Sequence, residues 1–240
     1  MKIDFHPSGE RGHANHGWLN AHHSFSFASW YDPRKTHFGA LRVLNDDEIA
    51  AGMGFGTHPH DNMEIVTIPL SGAIAHKDSM GNNGIIKSGD VQIMSAGTGV
   101  QHSEFNASKT EALNLLQIWV FAKKRNIQPR YEQKTFKPEE NINAFTLLVS
   151  PSKEDESVWI NQDAFFSYGI FDENKTVDYK IKHEGNGAFV FVVDGKATVA
   201  DKLLQKRDAI GVSETENFII QTELPSRILI VEVPMTEAEF

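Results

Sequence analysis

No cysteine occurs among the 240 residues, so neither a disulfide framework nor a thiolate metal ligand is available. Basic charge is also scarce. The formal net charge is -9 and no basic cluster stands out, which excludes the positive face needed to bind nucleic acid or an anionic membrane nonspecifically. Long apolar runs are missing: the longest, such as Ala188 to Val193, is far too short to span a bilayer. The opening residues Met1-Lys2-Ile3-Asp4-Phe5-His6 have no apolar core of a secretory signal. No glycine-rich phosphate loop joins a strand to a helix, and no serine sits in a nucleophile-elbow context. The expectation is a cytoplasmic, monomeric chain with no membrane and no direct nucleic-acid partner.

What is present is a rhythm of short β segments. Ile65–Leu70 is β-branched and ends at Ser71-Gly72; Val91–Met94 and Leu113–Phe121 follow. Short strands with turn signals between them indicate a sandwich or barrel. Residues 122–145 are charged and carry prolines, and they predict a connection wrapping between two halves. The rhythm then restarts with Thr146–Ser150, Ala164–Phe171 and Ala188–Val193. Asp194-Gly195 predicts a hairpin turn, and Asn45-Asp46-Asp47 predicts a turn in the first half. The organisation expected is all-β, with one domain over 1–134 and a second over 135–240. The second half holds a single histidine, His183, so an internal duplication with one emptied site is the economical expectation.

The chemistry is concentrated between Gly52 and Glu104. His58 and His60 stand at i and i+2, as do His102 and Glu104, and on a strand such pairs share a face. Pro59 holds His58 extended and demands an edge strand or a strand start. If the two strands face each other in a barrel, three imidazoles and one carboxylate converge. That set suits one divalent transition metal: Fe, Ni, Cu, Zn, or Mn and Co less tightly. Glu64 shares the nominal face of His60 and is expected beside the ligands. Gln117 sits among apolar neighbours either as a cavity-facing amide or as a satisfied buried one, and His76 is expected to be structural. The histidines of residues 1–50, His13 and His16 included, are expected to belong to a packed arm rather than a metal site.

Gly52, five residues, His58-x-His60, three residues, Glu64, and later Gly72 resembles the first cupin motif. Gly89-Asp90, then Ser95-Ala96-Gly97 and a histidine displaced to His102, resembles the second. These departures match the pirin family, a cupin branch. The wording of Arg11–Leu19, Ser24–Ala28, Ala40–Val43, Asp78–Asn82, Gln92–Gly99 and Pro129–Gln133 is similar to that family's bacterial quercetin 2,3-dioxygenase members. The resemblance covers most of 11–133 and is thin beyond. It implies two tandem cupin barrels (double-stranded β-helix or jelly-roll, a bicupin) with the metal in the first. It implies His58, His60, His102 and Glu104 as ligands, and Glu104 as catalytic base. The activity implied is a metal-dependent dioxygenase that opens the heterocycle of flavonols such as quercetin with O2 and releases CO. Phe55, Met63, Ile93 and Trp119 are the expected pocket walls. The alternative implied is a pirin-like metal-bearing regulator, a redox or conformational sensor acting through a protein partner.

Overall fold

The structure is a computed structural model, and it describes residues 1–235; residues 236–240, the end of the expected second domain, lie outside the described residues. Apart from single 3-10 turns at Ser8–Glu10 and Pro138–Glu140, the regular elements of the described residues are strands. In the first half these are β1 (Lys2–His6), β2 (Gly12–Asn15), β3 (Leu19–His23), β4 (Leu41–Ile49), β5 (Gly54–His60), β6 (Met63–Ser71), β7 (Ala73–Asp78), β8 (Asn83–Lys87), β9 (Asp90–Ser95), β10 (Val100–Asn106), β11 (Leu113–Phe121) and β12 (Arg130–Thr135). The rest are β13 (Phe145–Ser150), β14 (Val158–Trp159), β15 (Phe165–Phe171), β16 (Thr176–Lys180), β17 (Asn186–Asp194), β18 (Lys196–Val199), β19 (Lys202–Gln205), β20 (Ala209–Ser213), β21 (Asn217–Thr222) and β22 (Ser226–Pro234).

Each half pairs a seven-stranded sheet with a four-stranded one. The orders are β12-β9-β6-β11-β4-β3-β2 with β5-β10-β7-β8, and β1-β20-β17-β22-β15-β13-β14 with β16-β21-β18-β19. The two seven-stranded sheets lie back to back. Val66, Ile118 and Val120 of one meet Phe189, Phe191, Leu229 and Val231 of the other in the largest apolar cluster. One ion cluster bridges the same junction. Arg11 and Arg207 both reach Asp46 Oδ2, at 3.2 and 3.3 Å, and both guanidinium groups lie about 6 Å from the Phe191 ring. Strand β1, at the start of the chain, crosses over to pair with β20.

Three sequence expectations change here. Asn45-Asp46-Asp47 is not a turn: it runs through the middle of β4, buried between β3 and β11. Turn propensity loses because two of the three residues have side-chain partners waiting in the sheet; Asp46 takes the two arginines and Asn114, and Asn45 takes His23. Asp194-Gly195 is a corner rather than a hairpin, because β17 and β18 belong to different sheets. Gly195 has φ 92°, and a Cβ there would lie 2.3 Å from the Pro225 carbonyl oxygen, so the chain can cross only without a side chain. The charged 122–145 connection carries β12, which hydrogen-bonds to β9. The histidine-bearing arm is itself strand: β2 and β3 extend the first sheet, with His13 stacked on His22 and bound to Asn20.

The corner glycines Gly72 and Gly195 occupy equivalent places, between β6 and β7 and between β17 and β18. Following the pairing registers from them superposes the halves. His58 then corresponds to Tyr179, His102 to Phe218, Glu104 to Ile220 and Gln117 to Ile230. All four replacements are buried in one apolar cluster. The second barrel is packed shut where the first is polar.

Glu64 faces the junction, not the barrel interior. It accepts from Ser95 Oγ (2.8 Å) and from the Asn161 amide of the other half (3.1 Å), so the expected place beside the metal ligands is corrected. Its strand neighbour Ile65 takes the inward face, and alternation sends Glu64 the other way. Burial raises its pKa to about 7, because two neutral donors do not replace the water lost. The folded state therefore holds a proton that the unfolded chain releases between about pH 4.5 and 7, and stability falls as pH rises through that window. Glu64→Gln removes this cost. The variant should melt within a degree or two of wild type at pH 5 and roughly 5 °C above it at pH 8. A melting gap that stays constant from pH 5 to 8 would show that Glu64 does not titrate in that range.

Candidate metal centre

Strand β5 is the edge of its sheet and pairs only with β10, so Pro59 costs no ladder bond. A bulge between His102 and Glu104 shifts the register and lets both pairs of side chains turn inward. Gly54 makes the close approach possible: a Cβ there would meet the Glu104 carbonyl oxygen at 2.2 Å.

The expected histidines converge. His102 Nε2 stands 3.0 Å from His58 Nε2 and 3.1 Å from His60 Nε2. Among the described residues this trio is the one group of three or more such side chains whose ligand atoms lie within 4.8 Å of one another. The trio fits a metal ion on three counts. His58 Nδ1 is 2.8 Å from the Gly56 carbonyl, which can only accept, so Nδ1 carries the proton and Nε2 of the neutral ring offers its lone pair to the centre. Burial, reinforced by the neighbouring imidazoles, pushes His60 and His102 down to about 3, so both rings are neutral at pH 7. The spacing is also right. Nitrogens about 2.1 Å from a shared ion stand about 3.0 Å apart at right angles, so His102 has the spacing from both His58 and His60 of neighbouring ligands on one ion.

Glu104 stands outside the trio but in the same chamber. It is buried, and Gln117 Nε2 donates to both its oxygens at 3.1 and 3.3 Å, with Thr67 Oγ1 at 3.4 Å. Gln117 is thus both cavity-facing and satisfied. His76 lies opposite Glu104 across the sheet, stacked on Tyr131 at 5.0 Å and near His102 at 5.4 Å. Neither of its ring nitrogens has a hydrogen-bond partner among the described residues.

Two of the trio, His58 and His60, open into a cavity of about 400 Å³. Phe55 and Trp119 line it as expected, but Met63 and Ile93 do not. Ile93 packs into the junction between the sheets, and Met63 packs against the Ile65 cluster behind Trp119. Trp18 and Phe27 complete the aromatic wall, in edge-on pairs with Phe55 and Trp119, each 5.3 Å between ring centres. Sequence reasoning missed Asn45 and Asp47, which form part of the floor. The signal was their i, i+2 spacing, hidden by the turn composition of the segment.

Metal analysis tests the trio. The protein should carry one equivalent of metal per chain. His60→Ala should lower occupancy at least tenfold while the circular dichroism spectrum stays unchanged, because strand packing rather than the ion supports a domain of this size. Unchanged occupancy in the variant would remove His60 from the ligand set, and two equivalents in wild type would place a second site outside the trio.

Comparison with known proteins agrees with this geometry. The family model described as Pirin matches residues 4–120, and that of the Quercetinase C-terminal cupin domain matches 147–233. The chain is 42% identical over 226 residues to quercetin 2,3-dioxygenase of Escherichia coli K12, covering 94% of this chain and 96% of that one. It is 37% identical over 231 residues to a pirin-like protein of Caulobacter vibrioides, covering 96% and 99%. Its fold superposes on the crystal structure of the bacterial pirin YhhW of Escherichia coli in complex with nickel(II). The TM-score is 0.92 at 40% identity, over 98% of this chain and 100% of that one. Two cupin domains back to back, three imidazoles at one centre and relatives matched over nearly their whole length leave one assignment: the chain belongs to the pirin family.

Proposed function

We propose that the protein is a metal-dependent dioxygenase that opens the heterocycle of flavonols such as quercetin with O2 and releases CO. The observation that carries this reading is the pairing of a histidine trio with a carboxylate beside one aromatic-walled cavity. The naming of relatives as quercetin 2,3-dioxygenase supports it.

His58, His60 and His102 would hold the ion, with Glu104 as the fourth ligand. A bound divalent metal supplies Lewis acidity that makes the substrate's 3-hydroxyl easier to deprotonate. The chain's own residues do the rest. Trp18, Phe27, Phe55 and Trp119 give a flat aromatic molecule apolar surface and exclude water. Glu104 accepts the hydroxyl proton. Gln117 holds both carboxylate oxygens through one amide, so it steers the carboxylate without supplying a competing proton acceptor on that side.

Glu104→Gln keeps the size and one oxygen but removes the charge and the basic site. Oxygen uptake and CO release with quercetin should fall by roughly 10²-fold or more, the usual contribution of a positioned general base. Three imidazoles should still retain the ion. The assay compares wild type and variant loaded in turn with Fe, Ni, Cu, Mn, Co and Zn. No oxygen consumption by wild type with any of these metals would overturn the dioxygenase reading, and a variant as fast as wild type would remove Glu104 as the base.

A further inference from the structure

We infer that Asp47, with Asn45 beside it, is a specificity-determining residue that binds a hydroxyl of a polyphenol at a point away from the reacting ring. The inference rests on the flavonol reading above and deepens it.

The two side chains are at i and i+2 on β4, so both face the cavity, about 7 Å apart along the strand. Their surroundings divide the chamber. Trp119 packs edge-on to His60 at 4.9 Å and marks the end nearest the histidine trio. Along the sheet Trp119 lies across from Val43, Gln117 from Asn45 and Leu115 from Asp47, so Asp47 lies four residues of strand away from the Trp119 end. Trp18 packs with Leu115 at that far end, and Phe55 spans from Leu115 to the His58 ring, 6.4 Å between ring centres.

Asp47 is 5% exposed, and its Oδ1 is buried with no hydrogen-bond partner among the described residues. Asn45 Oδ1 accepts from His23 Nδ1 at 2.9 Å, while no protein group among the described residues accepts from its Nδ2. A polar pair therefore lines the chamber with hydrogen-bonding capacity unused. Such groups are costly to bury and need a partner that the protein does not supply.

The strand itself does not require them. In the second barrel, register places Ser167 at the position of Asn45 and Gly169 at that of Asp47. A Cβ at Gly169 would lie 2.3 Å from the Phe171 ring, so that barrel fills the corresponding space with an aromatic side chain. The buried carboxyl occurs only where a chamber has been left open. Burial, then the charges of Asp46 and Glu104, pushes Asp47 up to about 8. A phenolic hydroxyl both donates and accepts, so it satisfies this carboxyl in either ionisation state. A ligand carrying only the reacting hydroxyl cannot.

The test uses quercetin and 3-hydroxyflavone, which keeps the reacting hydroxyl and lacks the others. Dissociation constants come from quenching of tryptophan fluorescence in the metal-loaded protein, with turnover measured in parallel. Asp47→Ala should weaken quercetin binding about tenfold, the effect of one hydrogen bond to a buried polar group. It should change 3-hydroxyflavone binding less than about twofold and leave kcat for quercetin within about threefold. Asp47→Asn, which keeps an acceptor and a donor, should recover most of the loss. Equal weakening of both ligands would make Asp47 a packing residue and overturn the inference, as would unchanged binding of quercetin. Selective weakening without any turnover by wild type sinks the dioxygenase reading and leaves the recognition role standing. Wild-type protein that binds neither compound overturns both.

Discussion

The middle strands of the first barrel have no face turned to water. One side of the seven-stranded sheet is pressed on its counterpart from the second half, and the other closes the barrel, so Val43 to Asp47 are all buried. Polar residues there have only the junction or the chamber to turn to. Alternation then sorts them. Asp46 goes to the junction, where two arginines and an asparagine meet it. Asn45 and Asp47 go to the chamber. Glu64 and Ile65, adjacent on β6, divide in the same way, and this places a carboxylate at the junction rather than beside the histidines. Buried charge of this kind contributes little net stability. Its effect is on register, since a slip of one residue would exchange the two faces.

The elements legible in the sequence were those governed by local rules. Period two put His58 with His60 and His102 with Glu104, the missing proline N–H put β5 at an edge, and Gly72 and Gly195 marked the chain's changes of direction. The family wording added the two barrels. Properties that depend on a distant partner were not legible. Asn45-Asp46-Asp47 has the composition of a turn and becomes strand only because Arg11, Arg207, Asn114 and His23 await it. Asp194-Gly195 reads the same whether the next strand returns in the same sheet or crosses to another. Met63 and Ile93 are apolar and near the site in sequence, but which wall an apolar side chain serves is decided by strand face and by the other half.

The duplication shows how one barrel design serves two purposes. In the second barrel Tyr179, Phe218, Ile220 and Ile230 fill the volume that the first leaves to imidazoles, a carboxylate and an amide. A packed barrel recovers its cohesion from the apolar side chains themselves. The open one forgoes that contribution in its interior and leans on the second through the shared apolar face. The sealed half thus acts as the rigid back on which the reactive half is mounted.

Strand β1 sets an order of events during synthesis. Lys2 pairs with Ser213 and His6 with Ala209, so once made this strand completes its sheet only after some two hundred further residues have been added. At about 5–20 residues per second that is a wait of roughly 10–40 s. Through this interval the stretch has backbone donors and acceptors with no partner strand, and closing so long a loop is entropically slow. Newly made chains therefore spend tens of seconds as a nascent first barrel trailing a loose amino-terminal strap, a window in which a chaperone could bind it or a second chain could capture it by strand exchange.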